Sequence, residues 1–595
     1  MPIRPTIAAM KTRLIALAAL VALAAAAASP GSAAQKTARS PVVPPKPFSV
    51  VEASIPELRL ALEQKRATSR EIVLQYLTRM AMYEDQLNAV IAVNKDALKE
   101  ADERDRERAA GKIRGPLHGI PIALKDIIHT THLPTTGGAL AFAGFTPGYE
   151  ATLTKNLRDA GAIIIAKTGL TELANWVASG MPANYNALSG YGMNPYDPRR
   201  DPREATFDGR PVLSTGGSSS GIGTSASFWA ANVGTETSGS ILSPANQNML
   251  AAVKPTVGRV SRYGIIPITA DQDTAGPMGR TVTDVAVLLG VLEGASPDPN
   301  DAATKACPPP AGRDYTKFLN PGGLKGARIG IPRASFYDRT PVPGSPSPRG
   351  GLNPDQVKVM VEAIAILKDQ GALIVDPADI PSVITQDAAR SLLTFGICAG
   401  LENAKGQDAE CSVVLKYGMK RDFNAWLKTL GDAAPVKTLT ELRQWNIAHQ
   451  KAGAIKYGQA QLDISDEMDV QMDRGRYEAD RAKDLRLTAT EGIDAVMKEH
   501  KLDALLFPGS TGAGIAARPG YPTVIVPFGF APNVPFGGGP GGGADANQFP
   551  AGFDPKPGPF GVSFTGMACS EPRLLELAYA FEQATKRRVP PSSAP

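Results

Sequence analysis

The sequence predicts an α/β fold built on a large β-sheet, and three observations carry that prediction. Short β-like runs recur at 120–124, 163–166, 328–331, 372–375, 504–507 and 523–527. Helix-like stretches such as 356–369 and 573–586 separate several of them, an alternation that marks a mostly parallel sheet. The 595 residues are 43% hydrophobic and 20% charged, which is enough apolar side chain for a large buried core.

The first 34 residues read as a secretory leader. Arg4, Lys11 and Arg13 form a basic start, residues 14–28 are an uninterrupted apolar run of 15, and Ser32-Ala33-Ala34 suits a signal peptidase. That run falls short of the roughly 20 residues needed to span a bilayer. Cleavage near Ala34 implies an exported protein, periplasmic or extracellular. A Pro-rich connector (35–51) leads into one folded unit expected over 52–590. Residues 52–111 read as helices: Leu58, Leu60, Leu62, Ile72, Val73, Tyr76 and Leu77 recur at helical spacing, and Thr68-Ser69 can cap the second helix. The mixed charge of 95–112 reads as a solvated helix face. Residues 201–213, 341–353 and 532–559 look inserted, the last two as mobile Gly/Pro-rich surface loops. Strand-like sequence resumes at 561–566, so the C-terminal segment belongs to the same fold.

Charge excludes some partners. The net charge is +5 and falls to +2 once the leader's three basic residues are removed, too little for a nucleic-acid surface. No other apolar run approaches spanning length, so stable membrane insertion is not expected after leader cleavage. The four cysteines are too few for a disulfide framework and lack metal-site spacing. A Cys398–Cys411 pair is left open by spacing alone, while Cys569, in an apolar stretch, reads as a small core residue.

The chemistry concentrates at 214–243, STGGSSSGIGTSASFWAANVGTETSGSILS. Residues this small cannot fill a core, but they let backbone amides approach a ligand. A phosphate loop would need a Walker lysine, and none follows these glycines. Residues 217–221 match G-x-S-x-G, yet that elbow needs a strand before it and a later loop histidine. The preceding residues are polar, and His449 and His500 sit in helix-like segments. A serine activated by a lysine is the third reading. No serine has a lysine three residues on, so the base must come from elsewhere. Lys125, in GIPIALKDII after an apolar strand, is the best candidate, because burial lowers a lysine's pKa. A buried ion pair with Asp126 or another acid competes, and residue context leaves the two even. A helix over 221–232 is expected behind the loop.

GGSSSG, GTETSGSI and SP, with GIPIALKDI upstream, resemble the amidase signature family of serine hydrolases. The likeness continues through 254–284, 520–530 and 561–588, and Leu242 is similar to the peptide-amidase subgroup. The resemblance implies a large twisted mixed β-sheet covered by helices on both faces. It makes Ser240 the nucleophile, Ser218 the bridging serine beside a cis peptide bond, and Lys125 the general base. Backbone N–H groups at Thr237, Ser238 and Gly239 would line the oxyanion hole. It further implies hydrolysis of a small-molecule or peptide amide with no metal or cofactor, and leaves room for a homodimer. The 22 residues from Ser218 to Ser240 are two fewer than is usual in the family. A shifted register would make Ser219 or Ser220 the bridge. Glu236 reads as a structural carboxylate binding nearby amides, and His118 as structural. The alternative is the A-type component of an amidotransferase, which works with partner subunits and tRNA; the leader and the modest charge disfavour it.

Overall fold

Helices near the N-terminus begin where the sequence caps them. Ser54 and Glu57 form a reciprocal capping box on Ile55–Glu63, and Thr68 with Glu71 does the same for Ser69–Leu87. The structure, a computed structural model, describes residues 47–203, 208–217, 220–533 and 548–595. The leader and most of the connector lie outside the described residues. Phe48–Pro595 forms a single compact unit, slightly longer at both ends than 52–590. At one end Val50 is buried in the core, and at the other Arg79 donates to the carbonyls of Ala594 and Pro595.

Eleven strands form one sheet. In chain order they are β1 Val90–Val93, β2 Pro121–Lys125, β3 Ile163–Thr168, β4 Ala231–Glu236, β5 Ala251–Lys254 and β6 Thr274–Gly279. They continue with β7 Arg328–Gly330, β8 Leu373–Val375, β9 Ala504–Pro508, β10 Thr523–Ala531 and β11 Gly558–Thr565. Across the sheet the order is β1-β3-β2-β4-β6-β5-β10-β11-β9-β7-β8. Four pairings are parallel and six antiparallel, so the sheet is mixed, as the resemblance implies. The mostly parallel sheet expected from alternation is corrected. Parallel pairs occupy the two flanks, while β6, β5, β10 and β11 form an antiparallel centre. Every residue of β2 to β6 and of β9 is buried, which for side chains alternating across a sheet means both faces are covered.

Three further expectations change. Strand β1 interrupts the all-helical reading of 52–111. The helix expected over 221–232 stops at Ser225: Ser227 adopts a left-handed φ of 55°, the Trp229 ring closes over Gly223, and β4 begins at Ala231. Cys569 is not an isolated core residue. It is partly exposed and bonded to Cys307, while Cys398 pairs with Cys411, so no cysteine is free. The inserts are tied down by identifiable contacts. Thr340 and Arg349 exchange backbone hydrogen bonds across 341–348. Arg199 and Arg203 stack on Phe553 and Phe549, joining the insert at 201–213 to the end of that at 532–559. Residues 534–547 lie outside the described residues. Among the described residues no helix is long and apolar enough to cross a membrane.

Candidate active site

Lys125 ends β2, a strand flanked by β3 and β4, and its side chain is fully buried. The run Pro121–Lys125 buries all five residues, so the strand carries its terminal amine inside. The ammonium donates to the Thr235 carbonyl at 3.3 Å and to the Thr235 hydroxyl at 3.1 Å, both on β4. Asp126 is not its partner. That carboxylate faces Lys167 at 3.2 Å and accepts from Thr136, which removes Asp126 as an ion-pair partner of Lys125. Burial brings the Lys125 pKa down to about 8, against an upward pull from Asp273 and Glu236.

From β4 the chain turns through Thr237-Ser238-Gly239-Ser240 into the helix Leu242–Gln247. Gly239 sits at φ +122°, a backbone region that side chains disfavour, so the turn requires glycine there. Glu236 anchors the turn by accepting the Ile241 and Leu242 amides at 2.9 Å each, as the structural-carboxylate reading expects. Burial raises its pKa, opposed by Lys254 and by the amides of Leu242, Ile241 and Gly239. The Gly239 amide therefore faces Glu236 in part. Ser240 is partly exposed. A Cβ on Gly217 would lie 2.9 Å from Ser240 Oγ, so only glycine lets the small-residue loop close on that hydroxyl. Ser218 and Ser219 lie outside the described residues, as does the cis bond expected beside Ser218.

Sequence reasoning passed over Asp273. Its carboxylate accepts the Thr237 hydroxyl at 2.5 Å and the Ile268 and Thr269 amides at 2.8 and 2.9 Å. Burial raises its pKa to about 6, while the Thr237 and Ile268 hydrogen bonds and Arg262 pull it down and Asp422 pushes it up. Asp273 lies in the TADQDTAG run that carries the resemblance, but a carboxylate inside a long motif has no signal of its own. Asp273, Thr235 and Thr237 border a cavity of about 260 Å³ that is also walled by Tyr149, Tyr263 and Trp426.

The five histidines are engaged elsewhere. His118 is buried with Nε2 on the Arg104 carbonyl. His129 accepts from the Trp426 indole and is pushed down to about 3 by burial, hence neutral. His132 contacts Arg158, and His449 and His500 stand at helix C-termini. Among the described residues no group of His, Cys, Asp or Glu has the arrangement of a metal site.

A family model described as Amidase matches residues 71–575. A probable amidase of Arabidopsis thaliana is 33% identical over 552 residues, covering 91% of this chain and 92% of its own. The A-type component of the glutamyl-tRNA(Gln) amidotransferase of Thermosynechococcus vestitus is 30% identical, with 89% and 98% covered. Among solved structures, the native peptide amidase of Stenotrophomonas maltophilia superposes with a TM-score of 0.74 at 34% identity, over 92% of this chain and 99% of that one.

Proposed function

The chain belongs to the amidase family and is an amide-hydrolysing enzyme, and from that premise we propose that it is an exported serine amidase working through Ser240, Ser218 and Lys125. The observation that carries the mechanism is a buried lysine that, among the described residues, has no acid within ion-pair distance and donates hydrogen bonds to Thr235, on the strand next to the one that turns into Ser240. Such an amine loses its proton near neutrality and can accept one from a hydroxyl.

In this reading Ser240 Oγ attacks the amide carbonyl while its proton passes through the Ser218 hydroxyl to neutral Lys125. The developing oxyanion is met by amides of the Thr237–Ser240 turn, whose small residues leave them unobstructed. The same relay run backward protonates the leaving nitrogen, and water then cleaves the acyl-enzyme. The products are a carboxylic acid and ammonia or an amine, from a small-molecule or peptide amide. Export is supported by the leader and by the two disulfides, which persist in oxidising compartments. The same features weigh against a role inside a tRNA-dependent amidotransferase, despite the likeness to its A-type component.

Replacing Ser240 with Ala should abolish release of ammonia or amine from a panel of amides, and Lys125→Ala should be nearly as harmful. Full activity in the Ser240 variant would refute the assignment.

A further inference from the structure

The cavity beside Thr235 and Thr237 carries an unbalanced charge. Four ionisable side chains border it, one cationic and three anionic. Arg262 is committed to Asp301 at 2.6 Å, and Asp422 pairs with Arg421 at 2.7 Å. Asp273 has no Lys, Arg or His within ion-pair distance among the described residues, although it is sunk in the protein. A carboxylate has about four acceptor sites. The Thr237 hydroxyl and the two amides fill three of them, two on Oδ2 and one on Oδ1, so Oδ1 keeps one lone pair free. Thr274, the following residue, is 1% exposed and borders the same cavity, and its hydroxyl has no hydrogen-bond partner among the described residues. Tyr149, Tyr263 and Trp426 supply the aromatic rings of the wall.

An anion that is buried without a counter-ion is costly, and here the space beside it is open. Aromatic faces also attract cations. We propose that this cavity is a specificity pocket for a positively charged group of the amide substrate, an ammonium or guanidinium, with Asp273 as its counter-ion and Thr274 as a second acceptor. The cavity shares Thr235 with Lys125, which places the bound cation's end of the substrate beside the proposed catalytic base. An anionic substituent would meet Asp273 and Asp422 with no free cation among the described residues that border the cavity, so substrates bearing a carboxylate there are rejected. This inference rests on the serine amidase reading and names the substrate class of that site.

Benzylamine, benzyl alcohol and benzoate share one ring and differ in charge, and binding of each to the full chain can be measured by calorimetry, which needs no turnover. Benzylamine should bind at least about tenfold more tightly than benzyl alcohol, with benzoate weakest, and should compete with a hydrolysed amide. Asp273→Asn should bring the ratio of amine to alcohol near unity, and Thr274→Val should reduce it in part. Equal binding of alcohol and amine by the unaltered protein, or tighter binding of benzoate, overturns the proposal whether or not the variants fold. A protein that keeps this ranking but hydrolyses no amide would instead sink the amidase reading and leave the pocket standing.

Discussion

Replacing Lys125 with Met should destroy activity and strengthen the fold at once. Lys125 is fully buried, and burial takes its pKa from the ordinary 10.5 to about 8. That difference corresponds to roughly 3 kcal/mol, at about 1.4 kcal/mol for each tenfold change in proton affinity. An unfolded chain holds the proton up to the ordinary lysine value, whereas the folded chain releases it above about 8. The penalty on folding is therefore full below pH 8 and fades between 8 and 10.5. Met has similar length and no charge, so it removes the penalty. It also leaves the Thr235 carbonyl and hydroxyl without their donor, a loss of about 1 kcal/mol. The net expectation is a variant about 2 kcal/mol more stable at pH 7 and no more stable at pH 10.5. Its kcat/KM should fall by about 10²–10⁴, the range of a general base. Urea unfolding at both pH values, beside an ammonia-release assay, measures all of this. A variant that is less stable at pH 7, or that keeps its rate, refutes the buried-base argument.

Glu236→Gln should lower kcat by roughly tenfold while KM changes little, because the amides of Ile241 and Leu242 lose a carboxylate oxygen as shared acceptor, at about 0.5–1.5 kcal/mol per hydrogen bond, and the Ser240 turn loosens. Steady-state kinetics on one amide decides it, and an unchanged kcat contradicts the anchoring role. Opening the Cys307–Cys569 disulfide by double Ser substitution should destabilise the protein more than opening Cys398–Cys411. The sequence separations are 262 and 13 residues, a contrast worth about 2.7 kcal/mol in chain entropy. Urea midpoints of the two double variants should fall in that order, and the reverse order would show that native-state strain outweighs chain entropy.

The sequence was informative where side chains have a pattern and silent where they are small. Runs such as Ile163-Ile164-Ile165 and Val524-Ile525-Val526 announce strands through β-branched residues, and β3 and β10 lie there. Strands β4 (ANVGTE) and β6 (TAGPMG) carry Gly, Pro and Thr, which reads as loop. They are strands because their neighbours supply the pairing, which no local window records, and the antiparallel centre of the sheet was hidden with them. In the site, the burial of Lys125 was legible because it ends an apolar strand. Whether Asp126 held it could not be read, since the competing partner, Lys167, sits on another strand. Thr235 acts through a contact between β4 and β2, and Asp273 through one between the turn after β4 and the segment before β6, and spacing does not encode those. Cys307 and Cys569 were illegible as a pair for the same reason, being 262 residues apart.

The proposed mechanism requires Ser240 to be activated by a neutral buried amine. Reaction of the full chain with a fluorophosphonate, with the adduct located by mass spectrometry across pH 6 to 10, tests this directly. Labelling should fall on Ser240 and accelerate through a single rise centred near pH 8, as Lys125 gives up its proton, and the rise should vanish in Lys125→Met. Modification at another serine, or a Ser240 rate indifferent to pH and to Lys125, would contradict it.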